Sequence, residues 1–305
     1  DGGRRVARGL TRKRHGRGDM VNTAVDWIGQ PGSASSVGSV AGIDNIASVY
    51  LLRPPYRELA RWSRVDAVLD LAPPRGSITV VRASPDTPWS ELVAGVESLQ
   101  RRFATCPVVI WAEGLAIDQI AALAGRGRML GVRACLPCAE IDPSLLREVL
   151  TDLLGFPTDL TRWLENRGFV LTPRAREQLE DLAAHALDFH AFREFLGATG
   201  HEDGCLRGEF EKSGLGAPGR WFHLLRTLSV AIAIQAQPAS LVSKLAERYG
   251  FYDSAHLRRR LDDIIGANPT VIRSHLSWEW MLFVALRRAR IGLPVDSVRA
   301  LASAQ

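Results

Sequence analysis

The sequence predicts an α/β N-terminal domain with a parallel sheet, over residues 46–155, followed by an all-α C-terminal domain over residues 191–290. Three observations lead there. Short, nearly continuous apolar runs alternate with amphipathic segments in the first region, as parallel strands covered on both faces require. In the second, apolar residues recur at helical spacing and are punctuated by Gly, Asn and Pro at cap positions. With 305 residues, 46% hydrophobic and 23% charged, the chain has the length and composition of a soluble globular protein with two cores.

Residues 1–45 should contribute to neither core. The segment 1–19 is rich in Arg and Gly, and Met20 is the first methionine, so a disordered tail or sequence foreign to the protein is expected. "GQPGSASSVGSVAG" at 29–42 reads as a linker. The tail holds seven Arg/Lys and two Asp, which accounts for the whole net charge of +5 and leaves residues 20–305 neutral. Any electrostatic signal must therefore be local. Residues 191–290 carry fourteen Arg/Lys against ten Asp/Glu, a modest excess compatible with a basic patch.

In the α/β region "IASVYLL", "ITVVRA", "CPVVIWA" and "MLGVRACL" read as strands. "ELARWSRV", "PWSELVAGVESLQRRF", "AIDQIAALAG" and "DPSLLREVLTDLL" read as helices. Residues 156–190 form a helical connector, with Thr172 and Pro173 opening a helix whose face is Leu179, Leu182 and Ala183.

The C-terminal region repeats one pattern. Around residues 241–273, Leu241, Leu245 and Ala246 make a first apolar stripe, and Gly250 suits a left-handed helix end. Asp253 or Ser254 then caps a second helix with Leu257, Leu261, Ile264 and Ile265 inward, and Gly266 ends it. Asn268-Pro269 starts a third. Helix, glycine turn, helix is the outline of a helix-turn-helix. Ser254, His256, Arg258, Arg259 and Arg260 would point outward, the residue types a recognition helix offers to base edges and phosphates. The alternative is a solvated surface helix in which Asp262 and Asp263 offset the arginines.

"LAERYGFYDSAHLRRRLDDIIGANPTVIR" resembles the second helix-turn-helix of AraC-type (AraC/XylS) transcription regulators, with Ala246, Gly250, Phe251, Asp253, His256, Arg259, Gly266, Pro269 and Arg273 matching in order and spacing. Leu257 and Leu261 stand where phenylalanine is usual, and Ile272 replaces an aromatic. "FREFLGATGHEDGCLRGEFEKSGLGAPGRW" is similar to the first unit, with Leu206 and Phe210 facing the core, and "LLRTLSVAIAIQ" (224–235) to the helix joining the two. The resemblance covers roughly residues 190–275. It implies a bacterial, cytoplasmic, sequence-specific regulator that binds double-stranded DNA as a homodimer, with RNA polymerase a further partner. Ser254, His256, Arg258 and Arg259 would lie nearest bases and phosphates, with Lys244 and Arg273 in backbone or structural contacts. Glu202, Asp203, Glu209 and Glu211 make the first unit acidic, so Arg207 there is expected to contribute weakly.

The end of the α/β region, "PVVIWAEG…GRGRMLGVRACLPCAEIDPSLLREVL", is similar to the last two β-α units of response-regulator receiver domains. Arg82 and Ala83 stand where a phosphoacceptor aspartate would, Asp86 lies past a proline, and Leu136-Pro137-Cys138 replaces the lysine segment. The resemblance thus implies a receiver-like domain without phosphotransfer, used for dimerisation or protein contact. Small-molecule binding at the carboxyl ends of the strands is the alternative there.

Other classes are excluded more simply. No run of eighteen apolar residues or secretory signal occurs. Cys106, Cys135, Cys138 and Cys205 are too scattered for a disulfide framework and fit a reducing cytoplasm. Cys135 and Cys138 form a CxxC with no further zinc ligands nearby, so a thiol redox enzyme is the enzymatic alternative and two unreactive thiols the expectation. No catalytic constellation, metal or cofactor is implied. An interaction or scaffold protein whose helix-turn-helix has lost specific DNA binding is the non-enzymatic alternative.

Overall fold

The computed structural model describes residues 49–57, 59–61, 73–137, 142–289 and 291. The N-terminal tail and linker, Cys138 and the chain from 292 onward lie outside the described residues. The first part is β1 (Val49–Leu52), β2 (Leu59–Arg61), β3 (Ile78–Ala83), α1 (Trp89–Arg102), β4 (Val108–Ala112), α2 (Ile117–Met129), β5 (Ala134–Leu136) and α3 (Pro143–Leu150). The strands lie in the order β2-β1-β3-β4-β5.

The sheet is mixed, which corrects the expectation of an all-parallel one. β3, β4 and β5 are parallel, as their helical crossovers require, but β1 is antiparallel to both β2 and β3. The cause lies in the segment expected as the helix "ELARWSRV". Its residues 59–61 pair with β1 as a strand, and the rest lies outside the described residues. A parallel crossover needs a dozen or more residues, and the short link from Leu52 to Leu59 can only reverse the chain. Both faces are nevertheless covered. Val81, Val108 and Ile110 pack with Leu92, Val96 and Leu123 of α1 and α2. Ile78, Val80 and Val109 pack with Leu146 and Leu150 of α3 and with Leu276 from far along the chain.

The remainder is helical: α4 (Phe156–Glu165), α5 (Pro173–His185), α6 (Phe192–Thr199), α7 (Asp203–Lys212), α8 (Pro218–Ala236), α9 (Val242–Arg248), α10 (Ser254–Ile265), α11 (Pro269–Ser274) and α12 (Glu279–Arg288). α8 buries fifteen of its nineteen residues, so it has no solvent face and runs through the centre of the bundle. α4 and α5, expected as a connector, bury Phe156, Leu160, Leu179 and Leu182 in the same core. Trp278 packs edge-on to Phe156 at 5.3 Å and Trp163 at 6.3 Å, so the C-terminal segment rests on α4 as well as on α8 and α10.

Polar contacts join sheet and bundle. The buried Tyr56 hydroxyl donates to the Gly76 carbonyl and accepts the Leu276 amide, both at 2.7 Å. Arg147 of α3 donates to the Gln235 carbonyl at the end of α8, at 2.6 Å. Trp163 Nε1 donates to Ala104 O at 3.1 Å. Arg133, after α2, reaches Asp159 and the fully buried Glu279, whose Oε1 is 3.5 Å from its Nε. Trp163, Arg133, Asp159 and Glu279 line a cavity of about 20 Å³, room for about one water and far below the size of a small-molecule site.

Among the described residues no hydrogen bond of normal geometry reaches Glu279 Oε2. Burial pushes this carboxyl above the usual carboxylate range against the opposing pull of Arg133. Folding therefore favours its protonated form, and its contribution is intact below the ordinary carboxylate range and is lost as pH rises. Glu279→Gln should accordingly gain stability over the wild type at pH 8 and lose that advantage at pH 4, as read from urea unfolding at both pH values.

Candidate nucleic-acid interface

The local signals from 241 to 273 act as the residues dictate. α9 ends at Tyr249, and Gly250 turns the chain at φ +66°. A Cβ there would sit 1.9 Å from the His190 ring, so position 250 requires glycine for both conformation and space. Asp253 caps α10, its Oδ1 accepting the His256 amide at 2.6 Å. α10 closes at Gly266, φ +71°, and Asn268 caps α11 by accepting the Val271 amide at 3.0 Å. Leu241 departs from expectation. It precedes the first turn of α9 and is 62% exposed, so Leu245 and Ala246 alone form the buried stripe.

Leu257, Leu261 and Ile265 seat α10 in the core. Opposite them Ala255, Arg258, Arg259 and Asp262 are all exposed, at the i, i+3, i+4, i+7 spacing of one helix face. Among the described residues neither Arg258 nor Arg259 has an ion-pair or hydrogen-bond partner, so Asp262 and Asp263 do not neutralise them by contact. Ser254 is half-exposed at the start of the helix. His256 is turned aside, its ring edge-on to Phe251 at 5.9 Å and its Nδ1 buried. The outward position beside it belongs to Ala255, which the sequence reading passed over. Tyr252, 92% exposed at the mouth of the turn, was also missed.

Lys244 is exposed on α9 and without a partner among the described residues. Arg273 is half-buried and donates through Nη2 to the Ser240 carbonyl, a structural tie between α11 and the approach to α9. The α6–α7 pair, turned at Gly200 (φ +74°), presents a different surface. Arg207 is held by Asp203 through two contacts, Nε–Oδ1 3.0 Å and Nη2–Oδ2 2.9 Å. Glu209 accepts from Thr172 and Lys212. The structure therefore brings Arg258 and Arg259 together on one face, sets Ser254 half-exposed at the helix start on the side of Leu257 and Leu261, and leaves Arg207 on a separate helix with its charge engaged.

Two arginines that sequence reasoning did not single out hold α10 in place. Arg226 of α8 is buried and donates to the Phe189 and Tyr249 carbonyls, with its guanidinium 5.0 Å over the Phe251 ring. Arg288 of α12 donates to the Asp262 and Asp263 carbonyls at 2.5 and 3.2 Å, satisfying the C-terminal end of α10. An arginine in an apolar helix is an anomaly visible in "LLRTLSVAIAIQ", and it could have been read as a buried tie.

Thiol chemistry finds little support at Cys135. Partial burial pushes its thiol up to about 11 and full burial pushes Cys106 to about 12, so both are protonated and poorly nucleophilic at neutral pH. No cluster of potential metal ligands occurs among the described residues, nor is any helix there long and apolar enough to cross a membrane. No protein family, curated protein or solved structure matches the chain.

Arg226→Met should free the α9–α10 turn while keeping most of the side chain's apolar volume. Loss of its charge-assisted bonds is expected to cost about 2–3 kcal/mol. Hydrogen exchange should quicken first at the Phe251 amide, which bonds to the Ala246 carbonyl across the turn.

Proposed function

We propose that the chain is a sequence-specific DNA-binding transcriptional regulator that reads the major groove mainly through α10. The observation that carries this reading is the pair Arg258 and Arg259, exposed and uncommitted on a helix whose opposite face is locked into the core. Guanidinium groups at this station suit bidentate contact with guanine or attraction to phosphate. Ala255 between them and the helix start leaves room for close approach to base edges, and Ser254 and Lys244 are suited to flanking phosphates. The resemblance to AraC-type regulators supports the same assignment. On that reading the protein acts in the cytoplasm as a homodimer, with RNA polymerase a further partner, and the sheet domain serves protein contact.

An interaction protein is the second reading, favoured by one observation: α7 presents carboxylates, and its Arg207 is already paired. Affinity for a random-sequence duplex, followed by fluorescence anisotropy across a salt series, separates the two. Binding should weaken steeply with salt. Replacing Arg258 and Arg259 together with alanine should weaken binding and flatten that dependence while leaving the melting temperature unchanged. Arg207→Ala should change affinity little. Salt-independent or absent binding would favour the interaction protein.

A further inference from the structure

Sheet and bundle meet around the cavity of about 20 Å³, and hydrogen-bond donors dominate its wall. Its rim is formed by Gln100, Gly131 and Asn166, of which Asn166 is exposed and Gly131 half-exposed. Gly131 turns at φ +80°, and a Cβ there would stand 2.9 Å from Gln100 Nε2 and 3.0 Å from Asn166 Nδ2. Its floor is Arg133, Arg167, Trp278 and Glu279, whose side chains are almost wholly out of solvent. Two N–H groups of that floor, Arg133 Nε and Trp278 Nε1, are buried and donate no hydrogen bond among the described residues. Burying a donor without an acceptor is costly, and two such donors on the wall of one small space point to an acceptor held between them.

The surrounding charge selects that acceptor. Arg133 and Arg167 are on the wall, and Arg162 adds a third guanidinium from behind Asp159, 3.5 Å from its Oδ1. Against them stand Asp159, which Arg133 already engages, and Glu279, whose Oε1 lies 3.5 Å from Arg133 Nε and which the Ser277 hydroxyl also faces. Three guanidiniums against two carboxyls leave one positive charge in excess with Glu279 ionised, and two with it neutral. Cys106 adds no charge at neutral pH, since burial pushes its thiol to about 12. A space for about one water excludes carboxylates, sulfate and phosphates. We propose that the cavity binds a monatomic anion, chloride, which accepts from Arg133 Nε and Trp278 Nε1. Arg133 precedes β5 and Trp278 opens α12, so the ion fastens the sheet to the bundle. This inference does not depend on the DNA-binding reading.

Thermal unfolding of the whole chain tests it, with sodium gluconate exchanged stepwise for sodium chloride at constant ionic strength. A ligand held only by the folded state raises Tm with its concentration. The rise should be hyperbolic and reach about 5 °C. Trp278→Phe keeps a ring against Phe156 and Trp163 but loses the donor, and should raise the chloride Kd about tenfold. An anion beside a carboxylate is repelled, so chloride favours neutral Glu279. The shift should therefore be full at pH 5 and shrink toward pH 9, and Glu279→Gln should retain it at pH 9. A Tm indifferent to chloride would overturn the proposal and leave the cavity to water. A chloride effect undiminished in Trp278→Phe, or lost at pH 9 in Glu279→Gln as in the wild type, would overturn it as well.

Discussion

The constraint on which the helical half depends is the burial of α8 along almost its whole length. A helix without a solvent face cannot be stable alone, so its neighbours must wrap it, and α5, α6, α7, α9, α10, α11 and α12 all contact it. Its few polar residues then have to find partners in the low-dielectric interior. Arg226 finds backbone carbonyls at the turn between α9 and α10, and Gln235 donates to the His275 and Ser277 carbonyls near the other end. α8 thus fixes the start of α10 and the approach to α12 through one rigid element. Arg288 of α12 closes the arrangement at the far end of α10.

With its inner face, its preceding turn and its C-terminal carbonyls all held, α10 offers its outer face as a preorganised surface. Its two exposed arginines lose little backbone freedom on meeting a ligand, which keeps the cost of association low. The sheet domain is tied to the same framework. Tyr56 and Arg147 bond to the segment between α11 and α12 and to the end of α8, so the two halves share buried contacts rather than a loose linker.

What could be read from the sequence was local in origin. Gly250, Asp253, Gly266 and Asn268-Pro269 sit where they were expected because turn and cap chemistry involves only a few consecutive residues. The three central strands were legible for a similar reason: β3 and β4 in particular are apolar runs bounded by polar or turn residues. What escaped was decided by distant partners. Residues 59–61 pair with β1 instead of coiling, and β1 itself runs opposite to β3. Leu241 was assigned to a stripe from its spacing, but the helix begins one residue later. His256 lies on α10 by position, yet its ring packs edge-on to Phe251 and leaves the outward place to Ala255. Arg226 could be suspected from its apolar neighbours, but only the fold shows that it meets Tyr249 and Phe189.

The central claim is that the exposed face of α10 reads a DNA sequence. Selection of bound duplexes from a random-sequence library by the purified chain, at two salt concentrations, tests this most directly. The account predicts one enriched motif that persists at the higher salt and disappears when Arg258 and Arg259 are replaced. Recovery of no enriched motif, or of a motif indifferent to those two residues, would contradict it.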